Sequence, residues 1–326
     1  MLEDGLFSKA GSHAISDQYT AVRLLGGDDA TDEGRAFAVR YRVEGFPTLL
    51  AMSADGAVLS RKFQRDLPGI LSTLQAAAKA QATFLATEKA LGDSEAPADL
   101  RTMAGLYKSR MQLAQARARY EALPRKDRRV EDQIALLEVL TDLDDADARK
   151  ALLGTLLETY PDHAAHLEWR IQLATADLPA EATSPDEFRM LQLGTQAALE
   201  PLLAELTKPA EQALVRSRLA EVLSNLRDLP GALAHLDWIL ANVKGTPIAV
   251  DALMRKGLMH INLGYGSGNL AKVKEGRALL QQLIDEHPRH PQASRAQRML
   301  PQVDRIVRQL EAKRDAEKSG DADDGK

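Results

Sequence analysis

Tyr41-Arg42-Val43-Glu44-Gly45-Phe46-Pro47-Thr48-Leu49-Leu50 is followed, after Ala51, by Met52-Ser53-Ala54-Asp55-Gly56-Ala57-Val58. A Gly-Phe-Pro turn leads into an apolar run, and the run leaves through Asp-Gly, the dipeptide that supplies the positive φ a tight hairpin demands. The pattern predicts a strand over 48–52, a hairpin turn at Ala54-Asp55-Gly56 and a second strand over 57–63. In that second strand Val58, Ser60 and Lys62 alternate with Leu59, Arg61 and Phe63, a half-exposed pattern whose charges discourage edge pairing.

Outward from this hairpin, the elements alternate in type. Upstream, Met1 to Phe7 has the spacing of the back half of a helix, with Leu2, Leu6 and Phe7 on one face, and Tyr19 to Leu25 is a β-branched, apolar strand closed by Gly26-Gly27-Asp28-Asp29. Residues 30–39 read as a helix with Asp32 and Glu33 in its first turn, where the helix dipole favours acids, and with Ala36, Phe37 and Val39 facing inward. Downstream, Asp66 is placed to cap a helix carrying Pro68 in its first turn and running through Ile70, Leu71 and Leu74 toward Leu91.

The order helix, strand, helix, strand, hairpin, strand, helix resembles the thioredoxin fold. Val43-Glu44-Gly45-Phe46-Pro47-Thr48 is similar to the family segment in which the proline is cis, and Leu2-Glu3 with Phe7-Ser8 resembles the helix that follows a Cys-x-x-Cys. The resemblance implies a partner- or substrate-binding loop at Gly45, Phe46, Pro47 and Thr48, where an extended peptide would pair with the backbone by strand addition. It covers about residues 1–90. The departure is as informative: the chain contains no cysteine, and the central strand and dithiol that precede that helix in the family have no counterpart. Three readings stay open. The strands near Tyr19 and Thr48 close directly on each other, the sheet stays split, or the natural start lies upstream.

The rest of the chain is of a different kind. From Pro97 onward the apolar positions have helical spacing and recur in units that resemble the tetratricopeptide pattern of paired helices with small residues at their crossing. Leu100, Met103, Ala104, Tyr107, Ala116, Tyr120 and Leu123 form one unit. Leu136, Leu137, Leu140, Leu153, Leu156 and Pro161 form a second, and Leu219, Ala220, Leu223, Ala232, Leu236 and Ile239 a later one. Gly257, Gly264, Gly276, Leu280, Leu283 and Pro288 form the last, with Gly264-Tyr265-Gly266-Ser267-Gly268 as a flexible connection. Helices over 163–178 and 187–206 lie between, and 292–313 is a capping helix of the sort a solenoid needs. The expected organisation is thus α+β over 1–91 (an incomplete thioredoxin-like domain), all-α tetratricopeptide-like repeats over 97–313, and a disordered tail over 314–326, mostly α overall.

Composition narrows function. The 326 residues are 44% hydrophobic and 27% charged, with a net charge of -5 and a pI near 5.9. That balance argues against nucleic acid as a partner, and no apolar run has the length of a membrane span. Without cysteine the chain has no disulfide, thiolate metal site or thiol chemistry of its own. His163 with His166, and His287 with His290, have spacings that metal ligands use, but neither pair has a third partner in sequence, so no metal is expected. Asp142, Asp144, Asp145 and Asp147 lack the glycine and terminal glutamate of a calcium loop and read as a solvated turn with a helix cap. Arg125-Lys126-Asp127-Arg128-Arg129 reads as a solvated loop, and Trp169 and Trp238 as packing residues.

The function expected from this reading is a non-catalytic adaptor or chaperone-like protein that binds a protein or peptide, with no cofactor and no catalytic residue. The alternative is a thiol–disulfide oxidoreductase whose Cys-x-x-Cys lies upstream of the start, which the resemblance would place in the periplasm. As written, with no export signal, the expectation is cytoplasmic.

Overall fold

The computed structural model describes residues 20, 31–43, 48–61, 63, 66–179, 182 and 184–320, the last five of these by backbone alone. Among the described residues are thirteen α-helices and one two-stranded sheet. The chain divides into two compact units, Met1–Leu156 and Leu157–Lys326.

In the first unit, α1 (Asp32–Arg40) begins where Thr31 accepts the N–H of Gly34 at 3.1 Å. Asp32 and Glu33 occupy its first turn as expected. Its inward face is not the expected one. Gly34 is buried, whereas Ala36 is exposed and Val39 is 72% exposed. The helix is anchored instead from its end, where the Phe37 and Tyr41 rings meet at 4.5 Å, tilted by 45°, and the Tyr41 hydroxyl donates to the carbonyl of Gly56 at 3.0 Å.

Gly56 sits at φ 84 in the predicted hairpin turn, and the strands β1 (Ala51–Met52) and β2 (Val58–Ser60) pair antiparallel across it. They are shorter than the sequence pattern suggests. Ser53 closes the turn early by taking the Ala57 N–H on its hydroxyl at 3.1 Å, and the Val58 N–H turns away to the carbonyl of Arg110 at 2.9 Å. A backbone donor satisfied outside the ladder cannot extend it.

α2 (Leu67–Leu91) starts as read, with Asp66 accepting the Gly69 N–H at 2.7 Å. Its first half packs Ile70, Leu74 and Ala77 against Ala51, Leu59 and Phe63. Its second half contributes Phe84 to a different cluster, with Leu100, Met103, Tyr107, Tyr120, Leu123 and Leu140. One helix thus serves both clusters. That second cluster is made by α3 (Pro97–Ser109), α4 (Leu113–Glu121) and α5 (Val130–Asp142), packed in succession, with α6 (Ala146–Thr159) after them.

The second unit continues with α7 (His166–Ala174), α8 (Pro185–Glu205), α9 (Pro209–Asn225), α10 (Leu229–Asn242), α11 (Pro247–Ser267), α12 (Leu270–Glu286) and α13 (Pro291–Gly320). Successive helices pack from α7 onward, and α9 also touches α11, which also touches α13. These three form one row, with α10 and α12 behind it. α13 runs helical to Gly320, well into the segment whose composition suggested a disordered tail.

Four helix-to-helix turns share one backbone. Met111, Asp144, Arg227 and Gly268 each adopt a left-handed conformation, at φ 58, 54, 64 and 67. In each, the next residue's N–H reaches back to a helix carbonyl: Gln112 to Tyr107 (3.0 Å), Asp145 to Leu140 (3.0 Å), Asp228 to Leu223 (2.9 Å) and Asn269 to Gly264 (2.7 Å). This is the Schellman ending, which satisfies the last carbonyls of a helix. In three of them that same residue caps the next helix: Asp145 accepts from Ala148, Asp228 from Gly231 and Asn269 from Lys272. One helix ends and the next begins within two or three residues, and α3 with α4, α9 with α10 and α11 with α12 pack as hairpins.

Small residues let those hairpins close. Ala104 and Ala116 are buried in the same cluster, and Ala220 of α9 and Ala232 of α10, two helices that pack together, are buried as well. Arg149 stands where Ala116 and Ala232 stand in the turn frame, and α5 and α6 touch little. In α11 and α12 the contact is made by glycine. A Cβ at Gly276 would sit 2.5 Å from the Gly257 carbonyl oxygen, and one at Gly264 would sit 2.6 Å from the Val273 nitrogen. The glycine-rich stretch read as a flexible connector is therefore the last turn of α11, and only Gly268 leaves the helix.

Candidate functional site

Of the loop predicted to bind a partner, Gly45, Phe46 and Pro47 lie outside the described residues, and Thr48 is exposed at the start of the run into β1. The strand read over 19–25 and the helix read over 1–7 also lie outside them, apart from Thr20.

The described surface offers a cleft in the second unit. It has a volume of about 340 Å³ and lies where α7 faces the start of α9. Its floor is apolar because α8 stops at Leu206, whose backbone becomes extended and turns the side chain into the core beside Leu167. Leu167 and Leu206 belong to the cluster with Leu199, Leu202 and Leu219. Leu214, 50% exposed on α9, forms an apolar rim. The polar wall comes from Arg170 on α7 and from Lys208 and Glu211 beside the α9 start. Arg170 pairs with Glu205, and Lys208 with Glu211 at 3.0 Å.

His163 and His166 both lie at this cleft, and His163 is held in place by its neighbours. Nδ1 of His163 accepts the Ala165 N–H at 3.1 Å, and its ring stacks on Trp169 at 4.8 Å and 9°. Nδ1 of His290 accepts the Gln292 N–H in the same way at 3.3 Å. Tyr160-Pro161-Asp162-His163 and His287-Pro288-Arg289-His290 thus build the same entry into α7 and α13, a repeat that the sequence showed and that the metal-spacing reading overlooked. His287 caps the end of α12. Among the described residues no group of three or more side chains is arranged to hold a metal ion. The acidic run forms the expected turn: Asp144 holds the left-handed position, and Asp145 caps α6 while accepting Arg117 at 2.6 Å. The α6 N–H and the Arg117 guanidinium together hold the Asp145 carboxyl below the usual carboxylate range. Arg128, in the basic cluster, donates to the carbonyls of Leu123 and Glu121, so this cluster folds onto its own helix end.

Two further groups were not foreseen. Arg216 lies over the Trp238 ring at 4.3 Å and approaches Nδ1 of His235 at 3.3 Å, while its buried Nε has no hydrogen-bond partner. Burial lowers the pKa of Arg216, and burial followed by the Arg216 charge lowers that of His235. His260 is buried in α11, with Nδ1 3.1 Å from Glu275 but not aligned for a hydrogen bond. Burial, then the Lys272 charge, holds its ring below the ordinary imidazole range.

No described helix is long and apolar enough to cross a membrane. No protein-family model matches the chain, and no curated protein matches it.

Proposed function

We propose that this is a non-catalytic interaction protein. In this reading a thioredoxin-like leading segment, without its dithiol, precedes tetratricopeptide-like helical hairpins that bind an extended segment of another protein. The observation that carries it is the cleft between α7 and α9. It combines an apolar floor at Leu167 and Leu206, an exposed apolar rim at Leu214, and two cations paired only to carboxylates near the surface. The repeated Schellman turns and the small-residue crossings support the tetratricopeptide-like part of the reading.

The chemistry of the cleft selects the partner. A leucine-sized side chain laid on Leu167 and Leu206 would gain about 2 kcal/mol from burial. A neighbouring carboxylate on the ligand could take the donors of Arg170 and Lys208 from Glu205 and Glu211. The ligand is accordingly a peptide segment with an aliphatic residue beside an acidic one. Selection of a random peptide library on the full chain tests this. Enrichment of aliphatic–acidic segments that is lost in Leu214→Asp and in Arg170→Glu supports the reading. No enrichment, or binding indifferent to both changes, overturns it, and so does turnover in an insulin-reduction assay.

A further inference from the structure

The helix α8 carries two apolar faces, and among the described residues only one is covered. Leu199 and Leu202, with Leu206 just past its end, pack into the cluster with Leu167, Ile171, Val215 and Leu219. On the opposite side Met190, Leu193, Ala197, Pro201 and Ala204 recur at three- and four-residue steps, which places them along one stripe. All five are exposed, Met190 at 67% and Leu193 at 41%. A monomer has no reason to keep a four-turn apolar stripe in water, and such stripes mark contact surfaces.

We infer that this stripe is a self-association face, with α8 of a second copy lying antiparallel across it. The stripe is graded in size. Its first half carries the large side chains Met190 and Leu193, and its second half the small Ala197, Pro201 and Ala204. A parallel neighbour would set large against large and small against small. An antiparallel neighbour centred between Leu193 and Ala197 sets Leu193 against Ala197 of the second copy and Met190 against its Pro201, filling both ends alike.

Charge specifies the same register. Arg189 flanks the stripe at its beginning and Glu200 flanks the same side toward its end. Arg189 is exposed and forms no ion pair among the described residues, and Glu200 accepts a hydrogen bond from Gln196 at 2.7 Å while its charge also reaches His235. In the antiparallel arrangement each Arg189 lies beside Glu200 of the other copy, so one contact yields two ion pairs related by a two-fold axis. The other flank is closed: Leu178 lies over Gly194, where an added Cβ would come within 2.6 Å of its Cδ2, and Glu205 is held by Arg170. The stripe shares no residue with the lining of the α7–α9 cleft and borders it only through the Arg170–Glu205 pair.

Sedimentation of the full chain from about 1 to 100 µM, a range that brackets modest self-association, tests the inference. A monomer–dimer equilibrium is expected. Met190→Asp with Leu193→Asp should weaken the dimer at least about hundredfold, since it places charge at the centre of the contact. Arg189→Glu should weaken it roughly tenfold by setting acid against acid at two places, and Arg189→Glu with Glu200→Arg should restore it. Restoration by charge exchange is the readout that a merely structural role for Arg189 could not produce. Circular dichroism of each variant confirms the fold, which these exposed positions do not support. A wild-type chain that stays monomeric throughout overturns the inference, as does a dimer unchanged by the double aspartate variant or one that the charge exchange fails to rescue.

Discussion

The hairpins α9–α10 and α11–α12 solve one problem with different residues. Both turn through a left-handed residue and a capping side chain, Arg227 with Asp228 in one and Gly268 with Asn269 in the other. Ala220 and Ala232 are the small buried residues of the first pair of helices. Gly257, Gly264 and Gly276 remove even the methyl group from the second pair, so backbone meets backbone. Side chains then differ in how freely they can change: an alanine crossing tolerates some adjustment, whereas a glycine crossing has no atom to give up.

The comparison breaks most clearly at Gly276. Gly276→Ala drives a methyl into the Gly257 carbonyl and the Ile261 backbone, and should cost about 3 kcal/mol in urea unfolding, at the upper end for overpacking. Ala232→Gly in the other hairpin should cost only about 1 kcal/mol, mainly from helix propensity. Equal losses would mean the two crossings are alike after all.

The turns sharpen it further. Gly268→Ala imposes a side chain on a left-handed backbone and should destabilise by about 1 kcal/mol, while Arg227→Gly removes one from the same backbone and should stabilise by roughly half that. Opposite signs in the same assay are the expected result. Asp228→Ala removes the cap of α10 and should cost about 1 kcal/mol, and Asp228→Asn very little.

The smallest effect is a pH slope. Burial depresses the folded-state pKa of His260, so below the ordinary value near 6.5 the unfolded chain binds a proton that the folded chain resists. The stability linked to His260 is complete above that value and is lost as pH falls through the folded pKa. Denaturation midpoints should decline between neutral and mildly acidic pH, and His260→Gln should flatten the decline without shifting the neutral midpoint much. His235 adds a slope of the same sign from α10, with Arg216 as well as burial behind it. A steeper acid loss in His260→Gln than in the parent would contradict this origin.

How legible was this in the sequence? The hairpin crossings were, because Ala104, Ala116, Leu219, Ala220, Ala232, Gly257 and Gly276 stand at positions that helical spacing and small size mark together, and all are buried. The Asp55-Gly56 turn and the cap at Asp66 were also readable, since each depends on a residue's own local chemistry. The cleft was not. Leu167, Leu206 and Leu214 are all leucines on helical stripes, and nothing local distinguishes the two that form a floor from the one that forms a rim. The inward face assigned to α1 was misread for a related reason: Val39 is apolar, but the packing of Tyr41 against Gly56 sets the helix rotation.

The sequence by itself determined where helices begin and end, and that they pair: caps, left-handed residues and small crossing residues act over a few positions and need no distant partner. Only the tertiary structure decided which apolar faces are covered. It closed the Leu199 side of α8 and left the Met190 side to solvent, and it opened α7 from α9 while α9, α11 and α13 stayed in contact. Burial is a property of what arrives from elsewhere in the chain, and periodicity records only that a face is apolar.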